Sequence, residues 1–331
     1  MSPPAVPRIH GLLTASDGQH LQWEESGHPD GVPALYLHGG PGGGLGQGGY
    51  VSRFDPDRYR VIGLDQRGCG RSLPLAHDPS HDLVANTTPR LIADLEELRT
   101  HLGIDAWVLN GVSWGSTLAI AYAQAHPERV LGMVLFAVTT TSRTEVAWLT
   151  EGVGMIFPEE WERYATFAET HDPAYRRRES RLVEAYARLL RDPATREEAS
   201  QAWARWEDVH VSIGAGGFAP DPRWRDADFR HAFTVLTSHY WAHDGFCDPP
   251  LLARVERIAH IRAVLIHGRR DISGPVRTAW ELHRRWPASR LVIDEGDGHG
   301  GDGMAAAWTG ANDELARILR AANRRSGATG R

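Results

Sequence analysis

Cysteine is scarce in this 331-residue chain: Cys69 and Cys247 are the only two, too few for a disulfide scaffold or a four-thiolate metal site. Long apolar runs are missing as well. Stretches such as Val130–Val138 reach only about half of a membrane span, so no membrane association is expected. Charge is not segregated by sign. Lys and Arg number 36 against 42 Asp and Glu, a formal net charge of −6 without a block of either sign, which argues against a nucleic-acid partner. The opening residues, Met1-Ser-Pro-Pro-Ala-Val-Pro-Arg8, lack a charged start followed by an apolar stretch, so no signal peptide is read. There is no internal repeat and no Pro/Ser-rich linker. These absences leave a cytoplasmic, enzyme-sized protein of ordinary globular composition, 41% hydrophobic and 24% charged.

What the chain does have is alternation. Ile9–Leu13 and Gln19–Glu25 flank an Asp17-Gly18 turn, a hairpin signal. Pro33–Leu37 and Tyr59–Leu64 are short β-rich runs of the kind that forms buried parallel strands. Thr88 reads as a helix N-cap with Pro89 at the first helical position; Leu91, Ile92, Leu95, Leu98 and Leu102 make one apolar stripe, and Gly103 ends it. Trp107–Asn110, Ser116–Gln124 and Val130–Ala137 continue as strand, helix, strand. From Ser142 to Pro250 strand signals vanish and amphipathic stretches such as Ala174–Leu190 and Arg196–His210 take over. Six of the twelve tryptophans lie there: Trp148, Trp161, Trp203, Trp206, Trp224 and Trp241. Alternation then resumes with Ala263–Ile266, Val276–Trp286, Leu291–Ile293 and a closing helix over Gly303–Ala321, with fraying expected from Arg324. The pattern predicts an α/β fold with a mostly parallel sheet flanked by helices. Residues 1–141 and 251–331 form its core domain, and a helical cap domain over 142–250 interrupts it.

Gly111-Val112-Ser113-Trp114-Gly115 falls between a predicted strand and a predicted helix, the context that gives G-x-S-x-G its meaning as a nucleophile turn. A serine hydroxyl is a weak nucleophile at neutral pH and needs a base. Of the two histidines beyond residue 270, His283 lies inside a helix, whereas His299 follows the last strand in Asp294-Glu-Gly-Asp-Gly-His-Gly-Gly. Asp271, just past the preceding strand, completes the chain order Ser113, Asp271, His299. Asp294 and Asp297 are rival acids, close to His299 in sequence and so badly placed for its far nitrogen. The glycine loop His38-Gly-Gly-Pro-Gly-Gly-Gly44 is expected to supply an oxyanion donor from Gly40, with a second from Trp114. His38 is expected to tie that loop rather than titrate. Gly44-x-Gly46-x-x-Gly49 also fits a dinucleotide fingerprint, but Gly46–Tyr59 carries no helical stripe, so no helix N-terminus is available to a pyrophosphate. His239 and His243 have helical metal-ligand spacing without a third ligand. No metal and no organic cofactor is expected.

With these residues in hand, the chain resembles the proline iminopeptidase (prolyl aminopeptidase) family of α/β-hydrolases. The likeness rests on His38-Gly-Gly-Pro-Gly-Gly-Gly44, Asp65-Gln-Arg-Gly-Cys-Gly-Arg-Ser72, Asn86-Thr-Thr-Pro, Gly111-Val-Ser-Trp-Gly-Ser-Thr-Leu118, His267-Gly-Arg-Arg-Asp271 and Ala279-Trp-Glu-Leu-His283. It implies an eight-stranded, mostly parallel sheet with an inserted helical cap. It also implies hydrolytic release of an N-terminal proline or similar small residue from a small peptide or amide with a free N-terminus. Cap carboxylates are implied to hold the substrate amine, and one falls on Glu207, beside Trp206. A carboxylate within aromatic walls would hold an ammonium by a charge-assisted hydrogen bond. The family's second cap glutamate corresponds to Thr237 in Leu236-Thr-Ser-His-Tyr240-Trp241; Thr237 and Tyr240 are implied to lie at the substrate site. Losing one of two carboxylates on a buried amine costs about 2–5 kcal/mol, with Asp208, Asp244 or Asp248 as compensating acids. The alternative is an esterase or amidase of the same fold acting on a specialised metabolite or an apolar acyl substrate. The complete Ser, His and Asp set argues against a non-catalytic receptor.

Overall fold

The computed structural model describes residues 9–212 and 218–328. β1 (Ile9–Thr14) and β2 (His20–Gly27) pair antiparallel around the Ala15–Gln19 turn, with Leu13 opposite Leu21. β3 (Val32–Leu37), β4 (Tyr59–Leu64), β5 (Trp107–Val112), β6 (Val130–Phe136), β7 (Ala263–Gly268) and β8 (Ser289–Asp294) follow, giving the order β1-β2-β4-β3-β5-β6-β7-β8. β2 meets β4 antiparallel, and every later pairing is parallel. All six residues of β7 and the first five of β5 are buried, because helices cover both faces of a parallel sheet.

α1 (Thr88–His101), α2 (Trp114–Ala125) and α8 (Arg277–Arg285) pack through Leu95, Leu98, Leu118 and Leu282 into the apolar cluster on one face. α9 (Asp302–Ala328) covers the other face, where Met304, Trp308 and Leu315 meet Val134 and Ile266. Between β6 and β7 the chain leaves the sheet through α3 (Arg143–Thr150), α4 (Pro158–His171), α5 (Leu182–Arg191), α6 (Arg196–Ser212) and α7 (Ala227–Ala242). The exit is built locally. Ser142 and Glu145 form a reciprocal capping box at the start of α3, and the same Glu145 carboxylate accepts from the Thr139 and Thr140 hydroxyls. The helical segment is held together by aromatic packing, Tyr164 stacking on Tyr186 at 4.0 Å and on Trp206 at 5.5 Å.

Three local expectations need correction. The N-cap of α1 is Thr87, whose side chain accepts from the Arg90 N–H; Thr88 is already helical and spends its hydroxyl on the Gly245 carbonyl. The Ala174–Leu190 stretch is helical only from Leu182. Before it, Arg178 sits at φ +68° and Ser180 bonds back to Arg176, so a turn replaces the first helical turns. Fraying was expected from Arg324, yet α9 runs to Ala328; the residues after it lie outside those described. Among the described residues no helix is long and apolar enough to cross a membrane.

Candidate active site

Ser113 occupies the turn from β5 into α2 with φ 53° and ψ −121°, a conformation that a non-glycine residue adopts only under strain. The flanking glycines make so tight a turn sterically possible. A Cβ at Gly111 would collide with the Gly115 carbonyl, and one at Gly115 with the Leu37 carbonyl of β3. The backbone thereby lifts the Ser113 hydroxyl to the C-terminal edge of the sheet, half-exposed to a cavity.

His299 lies on the loop after β8, and its Nε2 is 3.1 Å from Ser113 Oγ. Its Nδ1 is 2.8 Å from Oδ2 of Asp271, which sits on the loop after β7. Asp271 is held in turn, since the Gly274 N–H donates to its Oδ1 at 2.9 Å. His267 fixes the same loop, accepting the Val138 N–H at Nδ1 and donating from Nε2 to the Gly274 carbonyl. Burial opposes a charge on His299, but the Asp271 carboxylate, by charge and hydrogen bond, and then Glu207 hold its pKa above the ordinary histidine value. Burial likewise opposes ionisation of Asp271, yet His299 and His267 keep its pKa below the ordinary aspartate value. The rival acids are otherwise engaged: Asp294 accepts from the Gly296 and Asp297 N–H groups, and Asp297 from the Met304 N–H at the start of α9.

Gly40 and Trp114 both border the cavity beside Ser113, and neither N–H has an acceptor among the described residues. A network behind them fixes both. His38 bonds the Gly39 carbonyl through Nδ1 and accepts the Gln66 N–H at Nε2, and burial pushes its pKa down. Gln66 accepts the Trp114 indole N–H at 2.9 Å. Gly49 opens a single short 3-10 turn rather than an α-helix, so the glycine loop offers no helix N-terminus for a pyrophosphate. His239 and His243 spend ring nitrogens on the Asn86 and His239 carbonyls.

The cavity, about 540 Å³, lies between the sheet edge and the helical segment. Glu207, on α6, borders it. Burial pushes its pKa up to about 7, with His299 and the neighbouring Trp203 indole opposing the rise and Asp208 adding to it; its Oε2 makes no well-formed hydrogen bond to a described residue. The other expected substrate contacts fall behind the wall. Trp206 is buried and donates its indole N–H to the Leu149 carbonyl. Tyr240 packs on Trp114 and donates to Asn86 Oδ1 at 2.6 Å. Thr237 is fully buried, its hydroxyl donating to the Pro41 carbonyl at 2.9 Å, so it braces the glycine loop. Thr237 and Tyr240 face away because α7 packs that side onto the core, and Trp206 because its side of α6 packs on Tyr164 of α4. The aromatic wall comes instead from Tyr36, Trp224, Phe233 and Trp241. Of the candidate compensating acids, only Asp208 borders the cavity, and it is occupied by the Asp221 N–H and the Trp224 indole. Asp244 pairs with Arg181. His210 and Ser273 also border the cavity and carried no motif that would have flagged them.

Residues 33–301 match the family model for the alpha/beta hydrolase fold. A probable proline iminopeptidase of Streptomyces coelicolor is 45% identical over 95% of this chain and 97% of its own. The proline iminopeptidase of Arabidopsis thaliana is 37% identical over 96% of this chain and 82% of its own. A crystal structure of the proline iminopeptidase of Mycobacterium smegmatis, 17% identical, superposes with a TM-score of 0.63 over 94% of this chain and all of that one, a likeness of fold. The chain belongs to the α/β-hydrolase family and, within it, to the proline iminopeptidases.

Proposed function

We propose that this protein is a serine hydrolase that releases an N-terminal proline, or a similarly small residue, from peptides and amides through an acyl-enzyme. The observation that carries the proposal is Glu207: a carboxylate with an unpartnered oxygen, facing the Ser113–His299–Asp271 array across one aromatic-walled cavity. A buried acceptor without a donor costs free energy until a ligand supplies one, and an α-ammonium supplies both donor and charge. The relatives named above support the same reading.

Ser113 attacks the scissile carbonyl while His299 takes its proton, and Asp271 steadies the imidazolium. The Gly40 and Trp114 N–H groups donate to the developing oxyanion. His299 then protonates the leaving amine, and water hydrolyses the acyl-enzyme. Residues 142–250 act as a cap that closes the amine end, which limits the enzyme to chain termini. The cytoplasm suits the reaction, since Cys69 and Cys247 are both free thiols.

The test is a panel of prolyl arylamide, its N-acylated form and a short acyl ester, run with wild type and Glu207→Gln. Loss of about 30-fold or more in kcat/KM confined to the unblocked substrate is expected, the kinetic equivalent of roughly 2–5 kcal/mol. Equal or better turnover of the blocked amide or ester by wild type would instead identify an esterase or amidase.

A further inference from the structure

Glu207 has a neighbour that the catalytic scheme leaves unused. His210 lies one turn further along α6 with its side chain only 1% exposed, and its Nε2 is 3.7 Å from Glu207 Oε2. That separation is too long for a hydrogen bond. Neither atom has a partner among the described residues, and both residues border the cavity. The other ring nitrogen, Nδ1, is 2.7 Å from Ser273 Oγ, on the loop that also carries Asp271. Two unsatisfied, buried polar atoms side by side, on residues that border the cavity, form a socket for a donor.

The imidazole is neutral. Burial pushes its pKa down to about 3, with His299 contributing. A neutral ring carries one donor and one acceptor nitrogen. With Nδ1–H donating to Ser273, Nε2 keeps a free lone pair beside Glu207 Oε2. Meanwhile Thr237, which stands where the resemblance implied a second carboxylate, is committed to the Pro41 carbonyl and lies outside the lining.

We propose that His210 is a specificity-determining residue of the amine site: its Nε2 accepts one N–H of the substrate's α-ammonium while Glu207 accepts the other. The proposal rests on the reading above that a free amine enters here. The protonated nitrogen of an N-terminal proline carries two N–H groups, which matches two acceptors. A primary ammonium carries a third and leaves it without a protein partner at this pair. His210 thus replaces a second carboxylate by a neutral acceptor, with the Ser273 hydroxyl accepting from Nδ1–H.

The experiment compares wild type, Glu207→Gln, His210→Leu and His210→Gln on prolyl arylamide, with the aryl ester of cyclopentanecarboxylic acid as an amine-free reference of the same shape. For His210→Leu, KM for the prolyl substrate rises about 10- to 100-fold, the worth of one hydrogen bond to a charged donor, with kcat little changed. The prolyl-to-ester ratio of kcat/KM falls by the same factor. His210→Gln, whose side-chain carbonyl reaches the position of Nε2, recovers most of the loss. An unchanged KM in His210→Leu while Glu207→Gln raises it overturns the role of His210 and leaves the amine reading standing. A parallel loss on both substrates, with the ratio unmoved, also overturns it by showing a structural role. An unchanged KM in Glu207→Gln removes the amine reading itself.

Discussion

The sheet edge that carries Ser113, Asp271 and His299 and the helix that carries Glu207 and His210 face each other across one cavity, yet they are finished to different degrees. On the sheet side the hydrogen bonds run in an unbroken chain, from Ser113 through His299 and Asp271 to the Gly274 N–H. On the helix side two buried polar atoms make no well-formed hydrogen bond to each other or to another described group. A reaction that is the same for every substrate favours a preorganised array with nothing left to rearrange. Recognition needs the opposite, a site whose polar groups are satisfied only when the right ligand arrives.

The contrast can be broken or sharpened by experiment. The largest expected effect is on the sheet side: Ser113→Ala lowers kcat by about 10⁴–10⁶-fold on amine and amine-free substrates alike, and abolishes labelling by a fluorophosphonate. Residual labelling in that variant would place the nucleophile elsewhere. Asp271→Asn keeps the shape but no longer accepts the Nδ1 proton of His299, so kcat falls by about 10⁴-fold. Steady-state kinetics on both substrate types should again show no discrimination between them.

A pH profile separates the two regions directly. As the proposed base, His299 works only when neutral, and its pKa is raised, so activity on any substrate is expected to be lost as pH falls through a value above the ordinary histidine range. In the proposed function Glu207 would hold an ammonium only when ionised, and its pKa is about 7. The acid limb of kcat/KM for an unblocked prolyl substrate therefore steepens toward two protons, whereas an amine-free ester shows one. Identical limbs for the two substrates would remove Glu207 from recognition. The smallest effect is expected at the brace between the regions. Thr237→Val removes the hydroxyl bonded to the Pro41 carbonyl and lowers stability by about 1 kcal/mol, read as a lower denaturation midpoint. KM for the amine is expected to stay near the wild-type value, since Thr237 lies behind the wall.

The sheet side was legible because its chemistry is written in local backbone demands. Gly111 and Gly115 flank Ser113 because no Cβ fits there, and a strand-to-helix turn of that kind is visible in five consecutive residues. Chain order then narrowed the base and acid to His299 and Asp271 over Asp294 and Asp297, which the structure shows engaged in the turn leading into α9. The substrate side is less legible. Trp206, Thr237 and Tyr240 fall within matching segments but point into the core. Tyr36, Phe233, Ser273 and His210 border the cavity from elements far apart in sequence. A helical residue's face depends on how its helix is rotated against its neighbours, and α6 and α7 are wrapped in aromatic contacts on several sides. No single apolar stripe reveals which side meets the ligand.

By itself, then, the sequence determined the order of strands and helices and the residue types of a serine-hydrolase array, because tight turns and alternating periods are constraints between residues near in the chain. Only the tertiary structure decided which polar atoms of the helical segment stay unpartnered at the cavity, and that Thr237 braces a loop while His210 faces Glu207. Those outcomes depend on packing between helices distant in sequence, where a rotation of one helix by a single residue position, about 100°, exchanges a buried face for a binding one.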